Sequence, residues 1–128
     1  MRLLIDSHVL LWWLLSDSHL SKTAQGVIAD SANEVLVSAV TGYELALKAA
    51  AGRLSLPGKI EQFVPSRVAT EGFTPLSISL DHASRAGTLP AIHRDPFDRL
   101  LVAQAQVEGV PIVTADPAIG QYDVEVIW

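Results

Sequence analysis

The sequence predicts a parallel α/β sandwich, and three observations carry that expectation. Short apolar runs at residues 2–5, 34–38 and 110–113 have the length of strands buried on both faces. Longer stretches between them place apolar residues three and four apart, as helices do. Strands that alternate with helices imply crossover connections and hence a parallel sheet. At 128 residues, with no repeat, linker or low-complexity segment, the chain reads as one domain, 1–128, with one sizeable core.

The first strand ends at Asp6-Ser7, and Ser7 is expected to cap a helix from His8 to about Leu15. Asp6 then stands free at the exit of a strand, the edge of an open parallel sheet where ligands bind. The helix after it is apolar nearly all round, so one face meets the sheet and the other needs a second helix or a partner. For the Trp12-Trp13 pair, core packing weighs somewhat more than a partner groove. A second helix opens on Ser21 and runs to about Ala32, followed by the strand 34–38. Residues 40–51 read as a helix ended by Gly52. Thr41 and Glu44 have capping-box spacing. A start near Ser38 instead puts Glu44 in the second turn, aimed at the edge that holds Asp6. The sequence leaves both open.

After a turn at 56–58, residues 59–71 form an amphipathic pattern that Pro65 should kink or split. Residues 73–78 suggest a short strand, which Pro75 places at a sheet edge or at its own beginning. Asp81 is expected to cap a short helix through Ala86 that Gly87 ends. Asp95-Pro96 is a helix start with proline at the first position, and the helix runs to about Glu108 before Gly109. Within it Asp98 shares a face with Leu101, Val102 and Ala105, where it serves either the helix dipole or chemistry. The strand 110–113 ends in Thr114-Ala115-Asp116-Pro117, again an acid ahead of a short helical pattern, 118–122. Residues 124–128 alternate and read as a half-exposed last strand.

Three acids, Asp6, Asp98 and Asp116, thus sit at strand exits or helix starts, and Glu44 lies early in another helix. Each has an ordinary capping explanation, but four together at one edge do not. Carboxylates brought close repel and take up protons unless a cation joins them. Oxygen ligands without Cys or His suit Mg²⁺ or Mn²⁺, and such ions polarise phosphoryl oxygens and activate water. His8, His19, His82 and His93 show no paired ligand spacing and read as structural or solvated. There is no Gly-rich phosphate loop, nucleophile elbow or cysteine nucleophile.

Nine basic residues against fourteen acidic ones give a net charge of −5, unusual for a nucleic-acid binder. Setting the four acids aside leaves nine against ten, so the charge argues only weakly against nucleic acid. The absence of cysteine excludes thiolate-bound zinc and a disulfide scaffold and fits a reducing compartment. No apolar run has the length of a membrane span and no signal peptide is read, so a cytoplasmic location is expected.

The segments Leu4-Ile5-Asp6-Ser7-His8, Tyr43-Glu44-Leu45-Ala46-Leu47-Lys48, Asp95-Pro96-Phe97-Asp98-Arg99-Leu100-Leu101 and Val113-Thr114-Ala115-Asp116 together resemble the PIN-domain ribonucleases. More narrowly they resemble the VapC-type toxins of type II toxin–antitoxin pairs. The resemblance covers essentially the whole chain and implies a PIN-like three-layer sandwich, a central mainly parallel sheet flanked by helices. It implies that Asp6, Glu44, Asp98 and Asp116 hold Mg²⁺ or Mn²⁺ and that Thr114 is an accessory hydroxyl; Asp95 is assigned to capping because Pro96 follows it. The implied activity is endonucleolytic cleavage of RNA by a metal-activated water. The implied partners are a second copy in a homodimer and a cognate VapB-type antitoxin whose tail blocks the groove, to which the Trp12-Trp13 helix could contribute. Lys48, Arg53, Arg94 and Arg99 are candidates for phosphate or antitoxin contacts, although for any one of them ordinary solvated surface charge is the weightier reading. One departure from the family pattern is Gly42-Tyr43, where a small residue and a tryptophan are expected before the acid.

Two rivals come from other classes. A receiver-type signalling domain needs an acidic pair after the first strand and a late lysine; here one acid follows that strand and the last lysine is Lys59. A catalytically silent PIN-like module would bind RNA or protein without cutting, and the intact acids argue against it.

Overall fold

The computed structural model describes residues 1–128 and contains five strands. They are β1 (Arg2–Ile5), β2 (Glu34–Ser38), β3 (Thr74–Leu76), β4 (Ile112–Val113) and β5 (Val126–Ile127). All pair in parallel, in the order β3-β2-β1-β4-β5. The central β1 sets Leu4 against Leu36 on one side and Ile112 on the other. Because side chains alternate along a strand, Leu3 and Ile5 join Val35, Val37 and Val113 in one core cluster. Leu4 joins Leu36 and Ile112 in a second cluster. Leu3, Leu4 and Ile5 have no exposed surface, which accounts for the unbroken apolar run.

Six helices cover the sheet: α1 (Ser7–Leu14), α2 (Lys22–Ala29), α3 (Ala39–Ala50), α4 (Ile60–Thr70), α5 (Leu80–Thr88) and α6 (Pro96–Glu108). The first cluster is closed by α1, α2 and α4, through residues such as Val9, Leu10, Ile28, Val64 and Val68. The second is closed by Leu101, Val102 and Ala105 of α6 and by a 3₁₀ turn, Ile119–Gln121. α5 packs outside on α6. α3 gives Val40 to one cluster and Leu45 to the other, so it straddles the carboxyl edge of the sheet. Connections from β1 lead first to β2 and only later return to β4 on the opposite side, which makes the β1/β4 junction the topological switch point. The expected sandwich is the one found, with a sheet that is wholly parallel.

Several local expectations change. Ser7 does not cap α1; it is already helical, and the Asp6 side chain accepts the Val9 N–H at 2.8 Å instead. α2 stops at Ala29, short of Ala32, because Asp30 turns the chain and accepts the Ala32 N–H at 2.9 Å. Of the two starts open for α3, Ser38 is the cap, accepting the Val40 N–H at 3.0 Å. Pro65 does not split α4: Val64 and Val68 on either side of it are both buried in the first cluster, and Pro65 itself faces solvent. α5 is capped by Ser79, with His82 completing a reciprocal pair of backbone bonds, so Asp81 is left as a first-turn acid. Gly87 lies within α5, which continues to Thr88. Asp95, Pro96 and Gly109 bound α6 as expected, with Gly109 at φ 67° in the left-handed region. Trp13 takes the structural role, packing near Phe73 and donating to Glu71 at 3.0 Å.

Gln104 of α6 is fully buried and ties three elements together. Its Oε1 accepts the Ser38 hydroxyl at 2.5 Å, and its Nε2 donates to the Ser77 carbonyl at 3.3 Å. Gln104→Leu keeps the volume but strands the Ser38 hydroxyl and the Ser77 carbonyl. The expected loss is about 1–3 kcal/mol, read as a lower urea midpoint at unchanged slope. An unchanged midpoint would show that these bonds contribute nothing to stability.

Candidate metal centre

At the exit of β1, Asp6 is 4% exposed and uses its two oxygens differently. Oδ1 caps α1, and Oδ2 accepts the Thr114 hydroxyl at 2.5 Å. Thr114 is buried just beyond β4, the strand beside β1, and its oxygen also accepts the Asp116 N–H at 3.0 Å. One hydroxyl therefore joins two strand exits 108 positions apart in sequence. Asp116 caps the turn that follows, with Oδ1 accepting the Ala118 N–H at 2.9 Å.

The other two acids arrive on helices. Glu44, in the second turn of α3 and 7% exposed, places Oε2 3.2 Å from Nζ of Lys48. Its Oε1 is buried with no hydrogen-bond partner. Asp98 lies in the first turn of α6, behind Asp95, whose side chain accepts the Phe97 N–H at 2.8 Å. Tyr43 and Phe97, the neighbours of Glu44 and Asp98, meet edge to face at 5.8 Å, with Tyr43 otherwise exposed.

These carboxylates feel one another. Burial first, and then the charge of Asp95, push the Asp98 carboxyl from 3.8 up to about 7. His93 opposes that rise, and Glu44 and Asp116 add to it. Burial likewise raises Asp6, against the hydrogen bonds from Thr114 and Val9, and Glu44 adds to the rise. Such a site carries more negative charge than its surroundings solvate. Asp98 and Asp116 lie within ligating distance of each other. Asp6 and Glu44, whose Oε1 lacks any donor, are coupled to the cluster by charge. Oxygen donors of this kind suit a small hard divalent cation.

His93 is the residue that sequence reasoning missed. Read as structural or solvated, it lies with Nε2 3.0 Å from Asp98 and 3.2 Å from Asp116. These three residues each offer a ligand atom within 4.8 Å of the others. Its place five residues before Asp98, in the loop entering the same helix, was the available signal; ligand-pair spacing could not reveal a contact made across a loop. Among the basic candidates, Lys48 is paired with Glu44, whereas Arg53 and Arg94 are exposed and form no ion pair. Arg99 is not free for a phosphate. Its guanidinium donates to the carbonyls of Ala86, Leu89 and Pro90 at 2.8, 3.1 and 2.9 Å, tying α6 to the end of α5.

Residues 3–125 match the family model described as PIN domain. The chain is 34% identical over 116 residues to Ribonuclease VapC22 of Mycobacterium tuberculosis, covering 88% of this chain and 85% of that protein. Among solved structures it superposes on DNA-bound VapBC from Salmonella typhimurium with a TM-score of 0.70 at 12% identity, covering 98% and 96% of the two chains. A toxin–antitoxin complex from Klebsiella pneumoniae gives a TM-score of 0.67 at 22% identity, covering 98% and 95%. At those identities the two structures establish a shared fold.

The Asp98 shift contributes its own pH dependence to metal-free stability. Between about 4 and 7 the folded carboxyl keeps a proton that the unfolded chain has released, so stability falls as pH rises through that window. Asp98→Asn removes this slope. Thermal denaturation in EDTA should show wild type and variant converging below about pH 4 and the variant melting higher above pH 7. Parallel curves at all pH values would refute the assignment.

Proposed function

From a chain that belongs to the PIN-domain family, on its VapC ribonuclease branch, we propose a metal-dependent endoribonuclease that acts as the toxin of a toxin–antitoxin pair. The observation that carries this reading is the set of four carboxylates at the switch point, two of them linked through the Thr114 hydroxyl. Asp6, Glu44, Asp98 and Asp116 would hold Mg²⁺ or Mn²⁺. When bound, the ion supplies Lewis-acid chemistry suited to phosphodiester hydrolysis, polarising a phosphoryl oxygen and lowering the pKa of water. Thr114 orients Asp6 and the backbone of Asp116. Uncompensated carboxylates repel a phosphodiester, so substrate binding and metal loading are coupled. Arg53 and Arg94, exposed and unpaired, are the cations best able to hold RNA phosphates, and Lys48 divides its charge with Glu44.

The partner follows from the same branch. The Klebsiella neighbour is a toxin–antitoxin complex and the Salmonella one a VapBC, which supports a VapB-type antitoxin here; a homodimer of this chain belongs to the same proposal. No helix is long and apolar enough to cross a membrane, in keeping with the proposed cytoplasmic setting. A silent binding module is the second reading, and intact acids with a shifted Asp98 favour the enzyme over it.

Purified, antitoxin-free protein should cut RNA with Mg²⁺ or Mn²⁺ and stop in EDTA, and folded Asp6→Asn and Asp98→Asn variants should be inactive. Full activity in both variants would sink the site, and no cutting with any metal would favour the silent module. Independently of activity, Mn²⁺ at a hundredfold excess over its dissociation constant should stabilise the wild type by about 2.7 kcal/mol. In Asp98→Asn the same concentration should leave the melting temperature nearly unmoved.

A further inference from the structure

Distance alone would make His93 a third ligand beside Asp98 and Asp116. Hydrogen bonding around the ring points elsewhere. A ligating imidazole must present a bare nitrogen to the ion. Here the Asp95 backbone N–H meets Nδ1 at 3.2 Å, and an N–H can only meet a nitrogen that carries no proton. The ring proton therefore sits on Nε2, the atom 3.0 Å from one Asp98 oxygen and 3.2 Å from one Asp116 oxygen. An N–H at Nε2 is within reach of both carboxyl acceptors.

The loop that carries the ring is held from both ends. The His93 N–H donates to the buried Tyr122 hydroxyl at 2.8 Å, and Tyr122 follows the 3₁₀ turn on the other flank of Asp116. Arg99 of α6 pins the Leu89 and Pro90 carbonyls at the start of the same loop. This support fixes the backbone from which the imidazole projects.

We propose that His93 is a positioning residue: its Nε2–H bridges Asp98 and Asp116 and holds the two carboxylates in the pose from which they bind the cation, while His93 itself is not a ligand. The metal half of this inference rests on the proposed nuclease site; the bridging half does not. A donor that orients ligating carboxylates typically changes metal affinity 10- to 100-fold when removed.

Two measurements on the full chain test it. Long-range ¹H–¹⁵N spectra of the metal-free protein, with the His93 ring assigned from its loss in His93→Gln, should show the Nε2-protonated tautomer. That tautomer should persist on addition of Mg²⁺. An Nδ1-protonated ring in either state would overturn the proposal. In parallel, free Mn²⁺ counted by electron paramagnetic resonance gives the affinity of wild type, His93→Gln and His93→Ala. A glutamine amide reaches the same position as a donor, so His93→Gln should stay within about threefold of wild type while folded His93→Ala weakens by about 10- to 100-fold. Equal affinities in all three, or equal loss in both variants, would overturn the positioning role. Wild type that binds no Mn²⁺ would instead bring down the metal-site reading, and the metal-free tautomer would still decide whether His93 bridges the two acids.

Discussion

The hydrogen bond between Thr114 and Asp6 is the junction on which the site depends. It exists because β1 and β4 are adjacent and parallel, so both strands release their chains at the same edge. A parallel sheet sends every strand exit to one side, and the reversal of strand order leaves a crevice there. Asp6 and Asp116 come from strand exits, Glu44 from the second turn of α3, which follows β2, and Asp98 from the first turn of α6, which follows α5. The fold places all four before any ligand is considered.

That convergence has an electrostatic consequence, which the surrounding residues partly offset. Asp6 takes one backbone and one hydroxyl donor, Asp116 a backbone donor and the His93 ring, and Glu44 a lysine one turn along its own helix. Asp98 also meets the His93 ring, at 3.0 Å, yet burial and the charges of Asp95, Glu44 and Asp116 push its carboxyl up to about 7. A buried carboxyl with a raised pKa opposes folding once it ionises, as functional sites often do. The cation that the donor set fits would remove that opposition, which links stability and function through the same residues.

α6 connects the site to the rest of the molecule. Asp95 caps it, Asp98 faces the other acids, and Arg99 fastens the end of α5. Further along, Gln104 binds the cap of α3, the helix that carries Glu44, and Glu108 meets the His82 ring of α5 at 3.0 Å. Successive turns of one helix thus hold the acid, the loop that carries His93 and the neighbouring helix in fixed relation. Arg99 illustrates how this differs from surface charge: a cation placed beside Asp98 in sequence is consumed in bracing backbone carbonyls.

The sequence by itself determined the strand and helix order, the buried centre of the sheet, the bounds of α6 and the four acids worth watching. Those features are local: an apolar run, a helical period, or a proline after a capping aspartate each declares itself within a few residues. Competing local signals misled it where two residues could do one job, as with Ser7 against Asp6 and Asp81 against Ser79, because backbone angles choose the cap. Only the tertiary structure decided that Glu44 points to the edge, that Arg99 is occupied, and that His93 sits between Asp98 and Asp116. Each of these depends on partners brought from distant segments, and no spacing along the chain records which strand exits share an edge.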